Sequence, residues 1–169
     1  MMSKDKIGAT GFRIRTAVES DSGTILGFIR ELAEFEKLLH EVEATEEMIR
    51  KSIFEEHTAE VVLAELDGRP VGFALFFHNF STFLGKPGIY LEDLYVKPEF
   101  RGNGYGKRLL IHLARLTKER DCGRFEWAVL NWNENAISFY RSMGAKPMNE
   151  WRVYRLTGKE LDEAAALPL

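Results

Sequence analysis

Cysteine is nearly absent from this chain. Cys122 stands alone among 169 residues, which excludes an internal disulfide and a cysteine-rich zinc site. A reducing, cytoplasmic setting follows as the expectation. Proline is scarce, with five residues, and nowhere joins glycine or serine into a linker. No apolar run approaches the ~18 residues that a membrane span needs. The stretch from Met1 to Gly11 is polar and unlike a signal peptide. Internal repeats and low-complexity tracts are missing. No two His, Asp or Glu residues show a spacing that suits a metal, so none is expected. The net charge of −3 disfavours nucleic acid as a partner.

What is present suits one globular domain. The chain is 45% hydrophobic and 29% charged, enough apolar surface for a core and too much for a disordered or collagen-like chain. A single domain over 1–169 is expected, with a core of about 12–156 and terminal segments 1–11 and 158–169. Charge is segregated along it. Glu31 to Glu60 holds ten acids and three bases, and Lys97 to Arg124 eight bases and three acids. One part suits a cation and the other an anion, although solvated helix faces give the same pattern.

Periodicity supplies the elements. Phe12 to Arg15 alternates as a half-buried strand. A helix follows, with Ser20 or Asp21 as cap and Ile25, Phe28, Ile29, Leu32 and Phe35 on one face. Thr45 opens a second, shorter helix. Glu60–Leu66 and Val71–His78 form a hairpin about Asp67-Gly68, and Asn79 to Gly88 reads as a loop. Ile89–Val96 is a third strand, a helix runs from about Gly104 to Arg120, and Phe125–Leu130 is a strand. Asn135–Met143 is a helix closed by Gly144, Trp151–Leu156 a last strand, and Thr157–Ala166 a terminal helix. A meander followed by strand and helix in alternation implies an α/β fold with a mixed sheet, antiparallel first and parallel at the crossover.

The most informative stretch is the glycine-rich turn Arg101-Gly102-Asn103-Gly104-Tyr105-Gly106-Lys107. Glycines between a strand end and a helix start let backbone amides approach an anion closely. A Walker loop fails, because Arg101 and Arg108 stand where it needs a glycine and a Ser or Thr. A Rossmann fingerprint fails as well, with Lys107 in place of its third glycine. The pattern Arg-x-x-Gly-x-Gly resembles the acetyl-CoA pyrophosphate loop of the GNAT superfamily of N-acetyltransferases. Asn133-Glu134-Asn135-Ala136 and Tyr140, followed by Gly144, are similar to a second segment of that superfamily. Within it, Ile89 to Val96 followed by Phe100-Arg101-Gly102, Glu31 to Glu36 and Trp132-Asn133-Glu134 resemble the spermidine/spermine N-acetyltransferase branch. Ser81-Thr82, where polyamine-preferring members place Asp-Pro, together with Ala128 to Asn133 resembles its thialysine N-acetyltransferase subgroup.

The resemblance implies a GNAT fold, with helices on both faces of the sheet, and transfer of acetyl from acetyl-CoA to a small diamine or diamino acid by direct attack. It implies that Leu94, Tyr95, Val96, the turn from Arg101 to Lys107, Asn133 to Ala136 and Tyr140 hold the cofactor. Tyr140 would be the general acid toward the CoA thiolate. Glu92 would be the base, with a strand bulge re-aiming either Glu92 or Asp93. Phe35, Glu36, Ser81, Thr82, Glu92, Asp93 and Glu150 would receive the amine, and the chain would be a homodimer. Acetylation of protein lysines or N-termini, and a non-catalytic CoA-binding module, are the other readings of the same motifs.

Overall fold

The computed structural model describes residues 11–168, which divide between Ala128 and Val129 into two compact units. The first carries strand β1 (Phe12–Thr16), helix α1 (Ser22–Phe35), helix α2 (Glu46–Arg50) and strands β2 (Glu60–Leu66), β3 (Arg69–Ser81) and β4 (Lys86–Val96). Helix α3 (Tyr105–Glu119) and strand β5 (Arg124–Trp127) complete it. The five strands form one sheet in the order β1-β2-β3-β4-β5. Pairing is antiparallel through β4, and α3 then carries the chain across to a parallel β5. The expected meander and crossover are both present.

Local chemistry accounts for the elements. Asp67 and Gly68, with φ of 50° and 77°, supply the two left-handed residues of a tight hairpin turn between β2 and β3. Thr45 accepts the Met48 N–H at 3.2 Å and caps α2. The helix then widens into a π turn over Lys51–Glu55. Asp21 occupies the N-cap of α1, yet its carboxylate turns back to the Val18 N–H at 2.8 Å and to Arg15. Ile25 and Phe28 of α1 pack against Val61, Leu63, Phe73 and Tyr95. On the other face, a Cβ on Gly106 of α3 would lie 3.7 Å from Leu94 and 3.9 Å from Val96. Tyr95 therefore faces α1, and its neighbours Leu94 and Val96 face α3.

Three strand limits differ from expectation. Asn79–Ser81 and Lys86–Gly88 belong to paired strands, which shortens the loop to residues 82–85. Glycine at 88 permits this, since a Cβ there would sit 2.4 Å from the Asn79 Oδ1. The strand expected over Phe125–Leu130 ends at Trp127.

The second unit holds helices α4 (Glu134–Ser142) and α5 (Gly158–Ala165). The strand expected at Trp151–Leu156 is absent. That segment carries no ladder, and Trp151, Val153, Tyr154 and Leu156 are exposed. Alternating apolar residues favour a strand only where a neighbouring strand accepts the backbone hydrogen bonds.

Candidate active site

The glycine-rich turn lies between the end of β4 and the start of α3. Gly102 and Gly104 both have φ of 79°, and a Cβ on either would meet nothing within 4 Å. Gly104 is the N-cap of α3, and the first intrahelical bond to it comes from the Arg108 N–H. The amides of Tyr105, Gly106 and Lys107 therefore have no helical acceptor, the arrangement that binds anions. The Asn103 side chain donates to the carbonyls of Phe100 and Arg101 and braces the turn. Tyr105 contributes only its backbone, because its ring is buried and stacked at 4.5 Å on Phe12. Lys107 is exposed.

Strand β4 parts from β5 beside this turn. Pairing runs from Gly88 opposite Arg124 to Leu91 opposite Trp127. From Glu92 to Val96 the strand keeps only its β3 partner. Backbone groups of Leu94, Tyr95 and Val96 border the resulting gap.

A bulge falls where the resemblance placed one. Leu75 pairs with Asp93 and Phe76 with Leu91, so Glu92 is the extra residue. Leu75 and Phe76 point to opposite faces, and their partners Asp93 and Leu91 must do the same. The bulge thus turns Asp93 onto the α1 face, alongside Tyr95, and leaves Glu92 exposed. Burial, then the charges of Glu92 and Glu36, push the Asp93 carboxyl up to about 6. Burial also raises Glu36, which caps the C-terminal end of α1. No hydrogen bond or ion pair reaches the Asp93 carboxylate among the described residues.

Three carboxylates thus meet at the edge of the gap without a neutralising cation. Such a site stabilises an ammonium and can accept its proton. It also costs stability. The folded value of Asp93 lies above the ordinary 3.8, so its contribution is full below about pH 4 and is lost as pH rises through about 6. Asp93→Asn is expected to stabilise the protein at pH 7 by roughly 1–3 kcal/mol and to change little at pH 4. Denaturant melts at the two pH values check this. A variant no more stable than the parent at pH 7 would contradict a buried charge without a partner.

Ser81 is placed differently from its expected role. It is 5% exposed, and its hydroxyl accepts the Leu84 N–H at 3.3 Å, so it holds the turn between β3 and β4. Thr82, beside it, is exposed. Phe35 ends α1 and remains 41% exposed.

The remaining expected residues lie in the second unit. Asn133 caps α4, its Oδ1 accepting the Ala136 N–H at 3.2 Å. Its Nδ2 has no acceptor among the described residues. Glu134 and Asn135 open the helix and are exposed. Tyr140 is half-buried beside Phe139, with ring centroids 5.3 Å apart, and burial raises its phenol. Gly144, with φ of 86°, closes the helix as expected. Glu150 is an exposed turn residue.

Residues 26–145 match the model of the acetyltransferase (GNAT) family. The chain belongs to that family. It is an N-acetyltransferase, close in sequence to thialysine N-epsilon-acetyltransferases. The one from Sus scrofa is 39% identical, over 90% of this chain and 96% of its own. An L-ornithine N5-acetyltransferase from Arabidopsis thaliana is 32% identical over 88% of this chain and 86% of its own. Among solved structures, an integron cassette protein of V. cholerae matches with a TM-score of 0.80 at 26% identity, covering 94% of this acetyltransferase and 99% of the other. The GNAT family uses acetyl-CoA as donor, and the amide-rimmed, side-chain-free surface at Gly102 and Gly104 fits a diphosphate. Among the described residues no group of three or more His, Cys, Asp or Glu is placed to hold a metal. None of their helices is long and apolar enough to cross a membrane.

Proposed function

We propose that this acetyltransferase moves an acetyl group from acetyl-CoA to the side-chain amine of a small diamino acid. The observation that carries this reading is the group of carboxylates Glu36, Glu92 and Asp93 at the edge of the gap beside β4. An amine of pKa ~10 arrives protonated at neutral pH. The carboxylates attract the ammonium, and Glu92, with Asp93 beside it, takes its proton directly or through water. The acetyl thioester supplies an electrophilic carbonyl carbon. The freed amine forms its C–N bond there while both substrates are held. Backbone N–H groups of Leu94 to Val96 stabilise the carbonyl oxygen as it gains charge.

The amides of Tyr105 to Lys107 hold the diphosphate, with Arg101, Gly102, Asn103 and Gly104 shaping the turn. The Nδ2 of Asn133, at the start of Glu134-Asn135-Ala136, is a donor for the pantetheine arm. Tyr140 gives its proton to the departing thiolate. Burial favours the neutral phenol that this step requires.

Relatives acting on thialysine and ornithine support a diamino acid as acceptor. Ser81 at the end of β3 and Thr82 after it supply no carboxylate, which removes an attraction for polyamines. Comparison of kcat/KM for thialysine, ornithine, putrescine and spermidine tests the reading. A severalfold preference for the diamino acids over spermidine is expected, since one ammonium–carboxylate contact near a surface is worth about 1 kcal/mol. A preference for spermidine would contradict it.

A homodimer is part of the same proposal. It is supported by the exposed apolar residues Trp151, Val153, Tyr154 and Leu156, a surface of the kind that protein partners cover. Light scattering is expected to give twice the chain mass of 19.4 kDa. A species of chain mass alone at micromolar concentration would sink it.

A further inference from the structure

A cleft of about 440 Å³ opens beside the carboxylate group, lined by Glu31, Glu34, Phe35, Tyr95, Lys97 and Arg101 among others. Its volume falls in the range of small-molecule sites. Its charges divide into those already matched and those that are not. Lys97 is paired with Glu31 at 3.0 Å. The Arg101 guanidinium lies over the Phe35 ring at 4.8 Å and the Tyr95 ring at 5.3 Å. Its Nε donates to the Val96 carbonyl at 2.8 Å. Neither Nη group of Arg101 has an acceptor among the described residues, and the carboxylates of Glu34 and Glu99 have no donor there. The cleft therefore holds one fixed, unused cationic fork and two unused anions, Glu34 and Glu99.

We infer that this cleft binds the amino-acid head of the acceptor, with Arg101 gripping its α-carboxylate and the carboxylates Glu34 and Glu99 receiving its α-ammonium. The aromatic rings and the Val96 carbonyl hold the guanidinium plane before the ligand arrives, so little side-chain entropy is lost on binding. A planar fork with two free N–H pairs matches a carboxylate. The backbone of the same turn presents amides at the start of α3, while the Arg101 side chain packs on α1. One loop thereby serves the donor with its main chain and the acceptor with a side chain. Asp93 and Tyr95 share a face of β4 two residues apart, about 7 Å along the strand. A head held over Tyr95 extends an ornithine- or lysine-length chain to Asp93 and its neighbour Glu92, the base to which the far amine gives its proton. A diamine of equal length offers Arg101 nothing to bind.

This inference rests on the acceptor reading above, and matched pairs separate the two. Ornithine and putrescine differ by one carboxylate, as do lysine and cadaverine. In Arg101→Gln, the ratio of kcat/KM for amino acid over diamine is expected to fall about 10- to 100-fold, mostly through the acceptor KM. Arg101→Lys keeps the charge without the fork and should recover only part of the ratio. Phe35→Leu frees the guanidinium without deleting it, and should lower the ratio severalfold even where Arg101→Gln fails to fold. An unaltered ratio in folded variants would overturn the inference. So would an equal loss for every acceptor with a raised acetyl-CoA KM, which would assign the side chain to the donor. A parent enzyme that acetylates putrescine as well as ornithine overturns the inference and spares the acetyltransferase reading. One that acetylates no amine overturns both.

Discussion

Replacing Tyr140 with phenylalanine is expected to lower turnover by about one to three orders of magnitude while acetyl-CoA affinity changes little. The substitution deletes one hydroxyl and leaves the ring against Phe139 in place, so α4 should keep its packing. The CoA thiolate is a far poorer leaving group without a proton donor in reach. Burial raises the Tyr140 phenol, which keeps the proton available across the working pH range. Steady-state kinetics with calorimetric binding of CoA resolves the two effects. Unchanged turnover would remove Tyr140 from the mechanism.

Gly104→Val should abolish acetyl-CoA binding and leave the fold largely intact. Two facts separate these outcomes. A Cβ at Gly104 would meet no protein atom within 4 Å, so the side chain clashes with nothing in the fold. The left-handed φ of 79° costs a β-branched residue about 1–3 kcal/mol, which a domain of ordinary stability survives. The new methyls would stand in the open surface flanked by the Tyr105, Gly106 and Lys107 amides, holding a diphosphate away from all three. Circular dichroism should report a native spectrum while calorimetry reports affinity reduced at least 100-fold. Wild-type affinity in the folded variant would refute the assignment of the turn.

The elements whose signals are local could be read from the sequence. Asp67-Gly68 encodes its turn through backbone freedom, Thr45 its helix start through a hydroxyl, and Gly144 its helix stop through a positive φ. The spacing of Arg101, Gly104 and Gly106 likewise reports a loop whose shape those residues dictate. Signals that depend on partners were misleading. Trp151 to Leu156 has the alternation of a strand, but alternation cannot supply a neighbour. Gly88 reads as a loop residue, yet its missing side chain lets Asn79 and Arg124 close in on a paired strand.

Charges gave the same lesson. Glu65 falls within an apolar strand and is 3% exposed, held by Arg13 and Arg15 of β1. Only strand register brings the three together. For Glu92 and Asp93, the sequence gives two adjacent carboxylates without saying which one turns inward. The bulge opposite Leu75 and Phe76 decides that, and a register shift leaves no mark in composition. Ser81 looks available to a ligand until its hydroxyl is seen to hold the Leu84 amide. The free fork of Arg101 is set by what the fold places around it, Phe35, Tyr95 and the Val96 carbonyl, none of which is adjacent to it in sequence.

The most direct measurement is mass spectrometry of an amine panel after incubation with acetyl-CoA carrying a carbon-13 acetyl label, with free thiol counted in parallel. Thialysine and ornithine are expected to gain one labelled acetyl group on the side-chain nitrogen, with one thiol released per acetyl transferred. Label found only on protein lysines or N-termini, or thiol release with no acetylated amine, would contradict an enzyme that acetylates small diamino acids.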